Sequence, residues 1–459
     1  MSFRRRKPES ALVLIGTFLL LGPVRTIAQN ADEDFKVYAD APRLLLTKQR
    51  LRLLQREKER QSERWQQLDA LVSGGAPLPE PGFALALHYQ ASGQGSSARR
   101  AIEWALGDKV DDLRQLALVF DWCGKAMSPT QSSQLAAKIQ KILNARPPDD
   151  DARKQNARAL AAIAIADELE DHGERILKQI VEDWWRGRRL KNLAEGRPPF
   201  AREDSYAMYE LFHAFRDNLK IDLRDSAAGY FENLPLDHVA SIYPAPFSAP
   251  ENAYHVPAYT SSGPPDLNQA VFSRAAELAM VAFDNNAQAI QFLQGWLMDD
   301  RFMMRGALGA PYEFLWANQY QPGLSYEKLP LVFHDGKTGR LFARTSWDED
   351  ATWLGYFDGQ IQLFRDGQLQ TLKAGSAVKP VRVGDSLLLT APAPSAEGII
   401  RFAGEAETMF VLSLAPMAHY DIEIDDEELG EGTTDAGGTL VVTLPPETQA
   451  GVRIRERAD

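Results

Sequence analysis

One cysteine, Cys123, in 459 residues excludes a disulfide-built scaffold, a cysteine-rich zinc module and an iron–sulfur cluster. It sits in the apolar run LALVFDWCGKAM, which reads as a buried structural thiol and not as a nucleophile. Positive charge is in deficit. The chain has 51 Lys and Arg against 63 Asp and Glu, a formal net charge of −12. That balance excludes whole-surface nucleic-acid binding, so any polyanion needs a local basic patch. Beyond the N-terminus no apolar run is long enough to cross a bilayer. GxSxG, HExxH, P-loop and dinucleotide fingerprints are all missing, so no cofactor is expected. The acidic stretch YDIEIDDEELGEGTTD has no EF-hand spacing and reads as a solvated hairpin, so no metal site is expected either. What is present is ordinary for a globular chain. The 44% hydrophobic content excludes wholesale disorder and supplies at least one sizeable core.

The N-terminus reads as an address. Arg4, Arg5, Arg6 and Lys7 precede the apolar run at residues 11–24, and Thr26, Ile27 and Ala28 offer a small-x-small cleavage site. Residues 1–28 are therefore expected to be a signal peptide, with a polar leader at 29–40. Cleavage would remove five basic residues and one acidic one, leaving a more acidic chain with no membrane span. Export with a lone cysteine predicts a periplasmic or secreted protein.

Helical periodicity then dominates to about residue 318. Thr47 is a candidate N-cap for a long helix ending at Gly74 and Gly75. Ser128 and Pro129 open another helix. NARALAAIAIADELED is alanine-rich and apolar nearly all round, which predicts an inner, buried helix. About ten such helices with short connectors predict successive helical hairpins. Residues 233–266 are rich in Pro, Tyr and Ser and read as a long structured loop. From about residue 330 the period changes to two. GRLFARTSW, ATWLGYF, TMFVLSLA and VRIRER are short strands separated by Gly or Asp turns. The expected architecture is α+β: an (α/α) toroid at 41–328 and an antiparallel β-sandwich at 329–459.

Several stretches resemble the heparinase II/III-like polysaccharide lyases. APRLLLTKQRLRLLQ is similar to that family's opening, and LALVFDWCGKAMSPTQSSQLAAKI to one of its helix pairs. SYAMYELFHAF is similar to its tyrosine-bearing helix, and GRLFARTSWDEDATWLGYFDG to its first sandwich strands. The resemblance covers about residues 41–370. It implies the toroid-plus-sandwich fold and cleavage of a uronic-acid polymer by β-elimination. Two departures bear on activity. Ala157 stands where the family has histidine after Asn156, and YFDGQIQLFRDGQ lacks the family's histidine-bearing loop. The alternative is a non-catalytic member of the same fold that binds acidic glycan.

Elimination requires a group that neutralises the uronate carboxylate, plus an acid and a base. By resemblance, Asn156 is the neutraliser, with Arg158 as a positive partner; read locally, Asn156 is an N-cap and Arg158 a surface residue. Tyr206, Tyr209 and His213 fall on one helix at i, i+3 and i+7. Tyr209 is the candidate base and acid with His213 beside it, and an aromatic core stripe is the competing reading. WWRGRR supplies Trp184, Trp185, Arg188 and Arg189 as the clearest polyanion-facing group, or else a cationic helix end. Arg202 and the loop residues Asn252, Tyr254 and His255 complete the candidate sugar contacts. A hydrolase would need paired carboxylates across a groove, for which Glu203, Asp204, Glu210 and Asp217 are available.

Overall fold

Six helices share one core and close on one another. They are Pro81–Ser92, Leu113–Cys123, Ala152–Ala164, Ser205–Leu219, Leu267–Phe283 and Gly309–Trp316. Each touches the next, and Gly309–Trp316 returns to Pro81–Ser92, so the ring is closed. Inner position follows from composition. In Ala152–Ala164 the residues from Ala159 to Ala164 are all buried, and the four alanines among them let neighbouring helices approach on several sides. Outer helices such as Gly95–Leu106 and Pro129–Ala145 bury one stripe only. This is a computed structural model, and it describes residues 34–459 apart from 146–148, 170, 250–252, 261–264, 446–448 and 458–459. The expected signal peptide, the start of the leader and Asn252 lie outside the described residues. Phe35–Asp459 forms one compact unit.

Local chemistry accounts for the helix starts and stops. Thr47 caps Lys48–Glu59 through the Arg50 N–H, as expected. The helix does not run on to Gly74. It stops at Glu59, Gln61 takes a positive φ of 50°, and Ser62 caps a second helix, Glu63–Ser73. Pro81–Ser92, which hydrophobic periodicity did not reveal, starts with proline at its first position and buries most of its residues. Asp151, and not Asn156, caps Ala152–Ala164 by accepting from the Lys154 N–H. Asn156 is therefore inside the helix. The loop expected from 233 begins only after Ala240, because Ala228–Ala240 continues through Pro235.

The C-terminal part stacks three sheets. The first is an antiparallel meander of five strands, Val332–Asp335, Arg340–Arg344, Trp353–Phe357, Gln360–Arg365 and Gln368–Lys373. One of its faces joins the helical core through Phe342, Trp353, Phe357 and Phe364. Its other face packs on the middle sheet, where Leu341, Leu354 and Ile361 meet Leu388, Phe410 and Leu412. The middle sheet is ordered Leu440–Thr443, Thr408–Leu412, Ser386–Thr390, Val381–Val383. It is buried on both faces, which accounts for the unbroken apolar runs in SLLLT and TMFVL. Pairing is antiparallel in every ladder except Thr408–Leu412 against Ser386–Thr390, which is parallel. The third sheet, led by Ala450–Glu456 between Ile399–Gly404 and His419–Ile424, covers the far face. Ring and first sheet are also joined by polar contacts. Trp353 Nε1 donates to the Ala240 carbonyl, and Tyr243 Oη donates to Gln362 Oε1 at 2.6 Å. No helix of the described residues is long and apolar enough to cross a membrane.

Candidate functional site

The starts of the six inner helices meet at one groove. Glu80, Asp112 and Asp151 are the N-cap residues of the first three, and all line it. Glu203 and Tyr206 at the start of the fourth, Phe272 from the fifth and Tyr312 from the sixth complete the wall. The groove has a volume of about 440 Å³. It adjoins a second cavity of about 370 Å³ that shares Arg153, Glu203 and Phe272 with it. That cavity is lined further by Arg202, His238 and the loop residues Val256, Pro257 and Tyr259. Acidic caps at helix N-termini are locally favourable, because they face the positive ends of the helix dipoles. They also give the groove its sign: six carboxylates (Glu80, Asp111, Asp112, Asp151, Glu203, Glu210) against Arg114, Arg153 and Lys154.

Arg114 organises the floor. Its guanidinium forks onto Glu210, with Nη2 at 2.7 Å from Oε1 and Nε at 2.8 Å from Oε2. Its Nη1 reaches Glu80 at 3.3 Å. Glu80 also accepts from Tyr312 Oη at 2.5 Å. Glu210, fully buried, takes two more donors: Tyr206 Oη at 2.7 Å and Asn156 Nδ2 at 2.7 Å. Trp316 Nε1 donates to the Tyr206 oxygen at 3.2 Å. Burial would lower the Arg114 pKa, but Glu210, Tyr312 and Glu80 outweigh it and hold the guanidinium firmly charged. Burial first, and then the Glu210 charge, push the Tyr206 phenol well above its ordinary range. A neutral, proton-bearing phenol is the result.

The expected site residues separate into two groups. Asn156 lines the groove, and the cavity beside it receives Arg202, whose Nη1 donates to Ser241 Oγ at 2.7 Å and to the Ala258 carbonyl at 3.0 Å. Tyr206 and Glu210, one turn apart on Ser205–Leu219, face the groove together. Tyr209 and His213, also one turn apart, face the core. Tyr209 is 1% exposed, with its ring edge-on to Phe212 and Phe283, and burial raises its pKa. His213 donates from Nε2 to the Ala279 carbonyl at 3.0 Å and accepts at Nδ1 from Arg216 at 3.3 Å. Burial, reinforced by Arg50, drives its pKa well down and keeps it neutral. Neither residue is on the groove wall, so a substrate there meets Tyr206 and not Tyr209.

The remaining candidates are placed elsewhere. Arg158, two residues from Asn156, points to a different cavity lined by His172 and Arg175. Trp184 and Trp185 are buried in a π-helical segment, Ile180–Arg189, where their indole N–H groups donate to the Asp150 and Leu223 carbonyls. They are core residues, not stacking platforms. Arg189 is tied to Asp150, and Arg188 is exposed away from the groove lining. Tyr254 is buried against Phe247 and Phe302. His255 is held by Asp300, which also pairs with Arg274. Of the four carboxylates available to a hydrolase, Glu203 and Glu210 line the groove. Asp204 pairs with Arg153, and Asp217 lies by a cavity at the far end of its helix. Among the described residues no cluster of His, Cys, Asp or Glu could hold a metal ion. Sequence reasoning missed Arg114, Glu80 and Tyr312. They lie 34 to 232 residues from their partners, and no local motif marks them.

A closed ring of helices with its groove at the N-terminal mouth, followed by stacked, mainly antiparallel sheets, is the toroid-plus-sandwich class of α+β fold. Among solved structures the chain is similar to a mutant of the heparan sulfate lyase HepC from Pedobacter heparinus, with TM-score 0.41 and 13% identity over 82% of this chain and 75% of that one. A second HepC structure gives TM-score 0.38 at 13% identity, with the same shares covered. A glycoside hydrolase gives TM-score 0.31 at 9% identity, over 82% of this chain and 71% of that one. No family model and no curated protein matches the chain.

Proposed function

We propose that this chain binds and processes a polysaccharide in the groove at the mouth of its helical ring. The observation that carries the reading is the convergence of Asn156, Tyr206, Arg114 and Glu210 on a groove that continues into a second cavity under the 253–259 loop. An elongated slot with a few fixed polar groups and the rings of Tyr206, Phe272 and Tyr312 on its wall suits a chain of sugar units. In this reading residues 41–328 form the sugar-handling domain and residues 329–459 a β-sandwich that buttresses it. The basic and apolar N-terminal segment supports export to the periplasm or beyond.

A second reading, β-elimination on a uronic-acid polymer, is favoured by the residue types on the floor. Asn156 and Arg114 are the kinds of group that neutralise a uronate carboxylate; Tyr206 can pass its proton to Glu210 at 2.7 Å as it takes the one beside that carboxylate, then give a proton to the departing oxygen and recover its own from Glu210. Tyr206 takes the role first assigned to Tyr209. Incubation with alginate, heparan sulfate, chondroitin sulfate and hyaluronan tests it through the ultraviolet band of the unsaturated uronate. Elimination abolished by Tyr206→Phe and retained in Tyr209→Phe supports it. Binding without that band leaves the first reading alone, and new reducing ends without it mark hydrolysis.

A further inference from the structure

We infer that the groove selects a sugar by the hydrogens the sugar donates, and that its ligand class is an amino-bearing oligosaccharide and not a uronate. The inference rests on the mouth being a glycan site, and it decides against the uronate reading of that site, because the groups that reading needs already face Glu210. A carboxylate ligand needs donors, and on this floor Arg114, Tyr206 and Asn156 already face a protein carboxylate. Glu210 occupies the seat a uronate carboxylate would take: it accepts from both arms of Arg114, from Tyr206 and from Asn156. Arg114 has a further partner in Glu80. At the rim, Lys154 pairs with Asp149 and Arg153 with Asp204.

The buried polar atom that the groove lining leaves unpartnered is an acceptor. Asn156 is fixed in orientation, because only its Nδ2 can face a carboxylate at 2.7 Å. Its Oδ1 therefore points the other way. That atom is buried and has no partner among the described residues, although Asn156 lines the groove. An orphaned buried acceptor is costly unless a donor completes it. The groove that Asn156 lines carries six carboxylates and three cations. A hydroxyl or an ammonium group meets both conditions, and the negative excess favours the ammonium. A uronate or sulfate would face that excess and would have to compete with Glu210 for the donors of Arg114, Tyr206 and Asn156.

The test is calorimetric titration of the full chain at low salt with three β-linked tetrasaccharides of equal length: glucosamine, N-acetylglucosamine and a uronic acid. The glucosamine oligomer is expected to bind about tenfold tighter than its N-acetylated form, a difference of about 1.4 kcal/mol, and the uronate not to bind measurably. Asn156→Leu should weaken the glucosamine oligomer at least fivefold. Should that buried variant fail to fold, Glu203→Gln at the exposed rim serves instead. It should weaken the glucosamine oligomer several-fold and the N-acetylated one less, so that the ratio between the two affinities narrows. Equal binding of the amine and its acetylated form, or tighter binding of the uronate, overturns the inference while leaving the glycan site standing. Binding of none of the three removes the glycan site itself.

Discussion

Replacing Arg114 with methionine tests whether the floor of the groove is a coupled unit. The change keeps much of the side-chain stem and deletes the guanidinium. Glu210 has no exposed side-chain surface, and Arg114 only 13%. Removing one partner of a buried pair typically costs about 3–5 kcal/mol, because the other charge is left uncompensated. Two donors remain on Glu210, Asn156 and Tyr206, each at 2.7 Å. Hydrogen bonds to a charged group are worth about 1.5–3 kcal/mol each, so the loss should sit near the lower end, at about 3 kcal/mol. Glu210→Leu alone leaves Arg114 with Glu80 at 3.3 Å as its one carboxylate partner and should cost a similar amount. The double variant strands neither charge. Its loss should fall short of the sum of the single losses by about 2 kcal/mol or more. Urea unfolding followed by tryptophan fluorescence reads these values, provided the slopes stay equal. Single losses that add to within about 0.5 kcal/mol would refute the coupling.

Further predictions concern the scaffold. Asp121 accepts the backbone N–H groups of Arg43 and Leu44, yet burial dominates and raises its pKa to about 6. A folded pKa above the unfolded one means that the native state binds the extra proton. Stability should therefore fall as pH rises from about 4 to about 6, by an amount on the order of 3 kcal/mol. Asp121→Asn should abolish that slope in pH-dependent melting, and an unchanged slope would contradict the assignment. Burial pushes the Cys123 thiol up to about 12, so a disulfide reagent at neutral pH should label it only after urea unfolding. A Cβ added at Gly295 would lie 1.8 Å from the Leu324 carbonyl oxygen, so Gly295→Ala should cost about 1–3 kcal/mol in thermal unfolding. A melting temperature equal to the parent's would show that the 320s loop yields freely.

The sequence carried the class of each element further than it carried their facing. Thr47 and Ser128 announce helix starts by their side chains, and alternation in the C-terminal part announces strands. The middle sheet's runs are apolar without alternation, and only the packing shows that they are buried on both faces. Facing failed on the helix that matters most. In Ser205–Leu219 thirteen residues are buried, so periodicity marks no inner side. Tyr206 and Tyr209 were equivalent on that pattern, and only the ring decides that one meets the groove and the other the core. By sequence Asn156 suits either a cap or a site residue. Asp151, five residues earlier, takes the cap and leaves Asn156 for the groove. Glu80 and Tyr312 carried no sign of their meeting, because it depends on closure of a ring that brings together residues 232 apart in sequence. The tryptophan–arginine run misled because long aromatic side chains next to cations suit a helix end packed on the core as well as they suit a polyanion.

The central claim is that sugar is held at the mouth of the ring, and blocking the groove tests it most directly. Ala157 lines the groove, is only partly buried and takes no part in the Arg114 cluster. Ala157→Trp should fill the slot while leaving the melting temperature within a few degrees of the parent's. Titration with an oligosaccharide bound by the parent chain should then show at least a tenfold loss of affinity, about 1.4 kcal/mol. Unchanged affinity in a folded Ala157→Trp chain would place the sugar elsewhere and contradict the account.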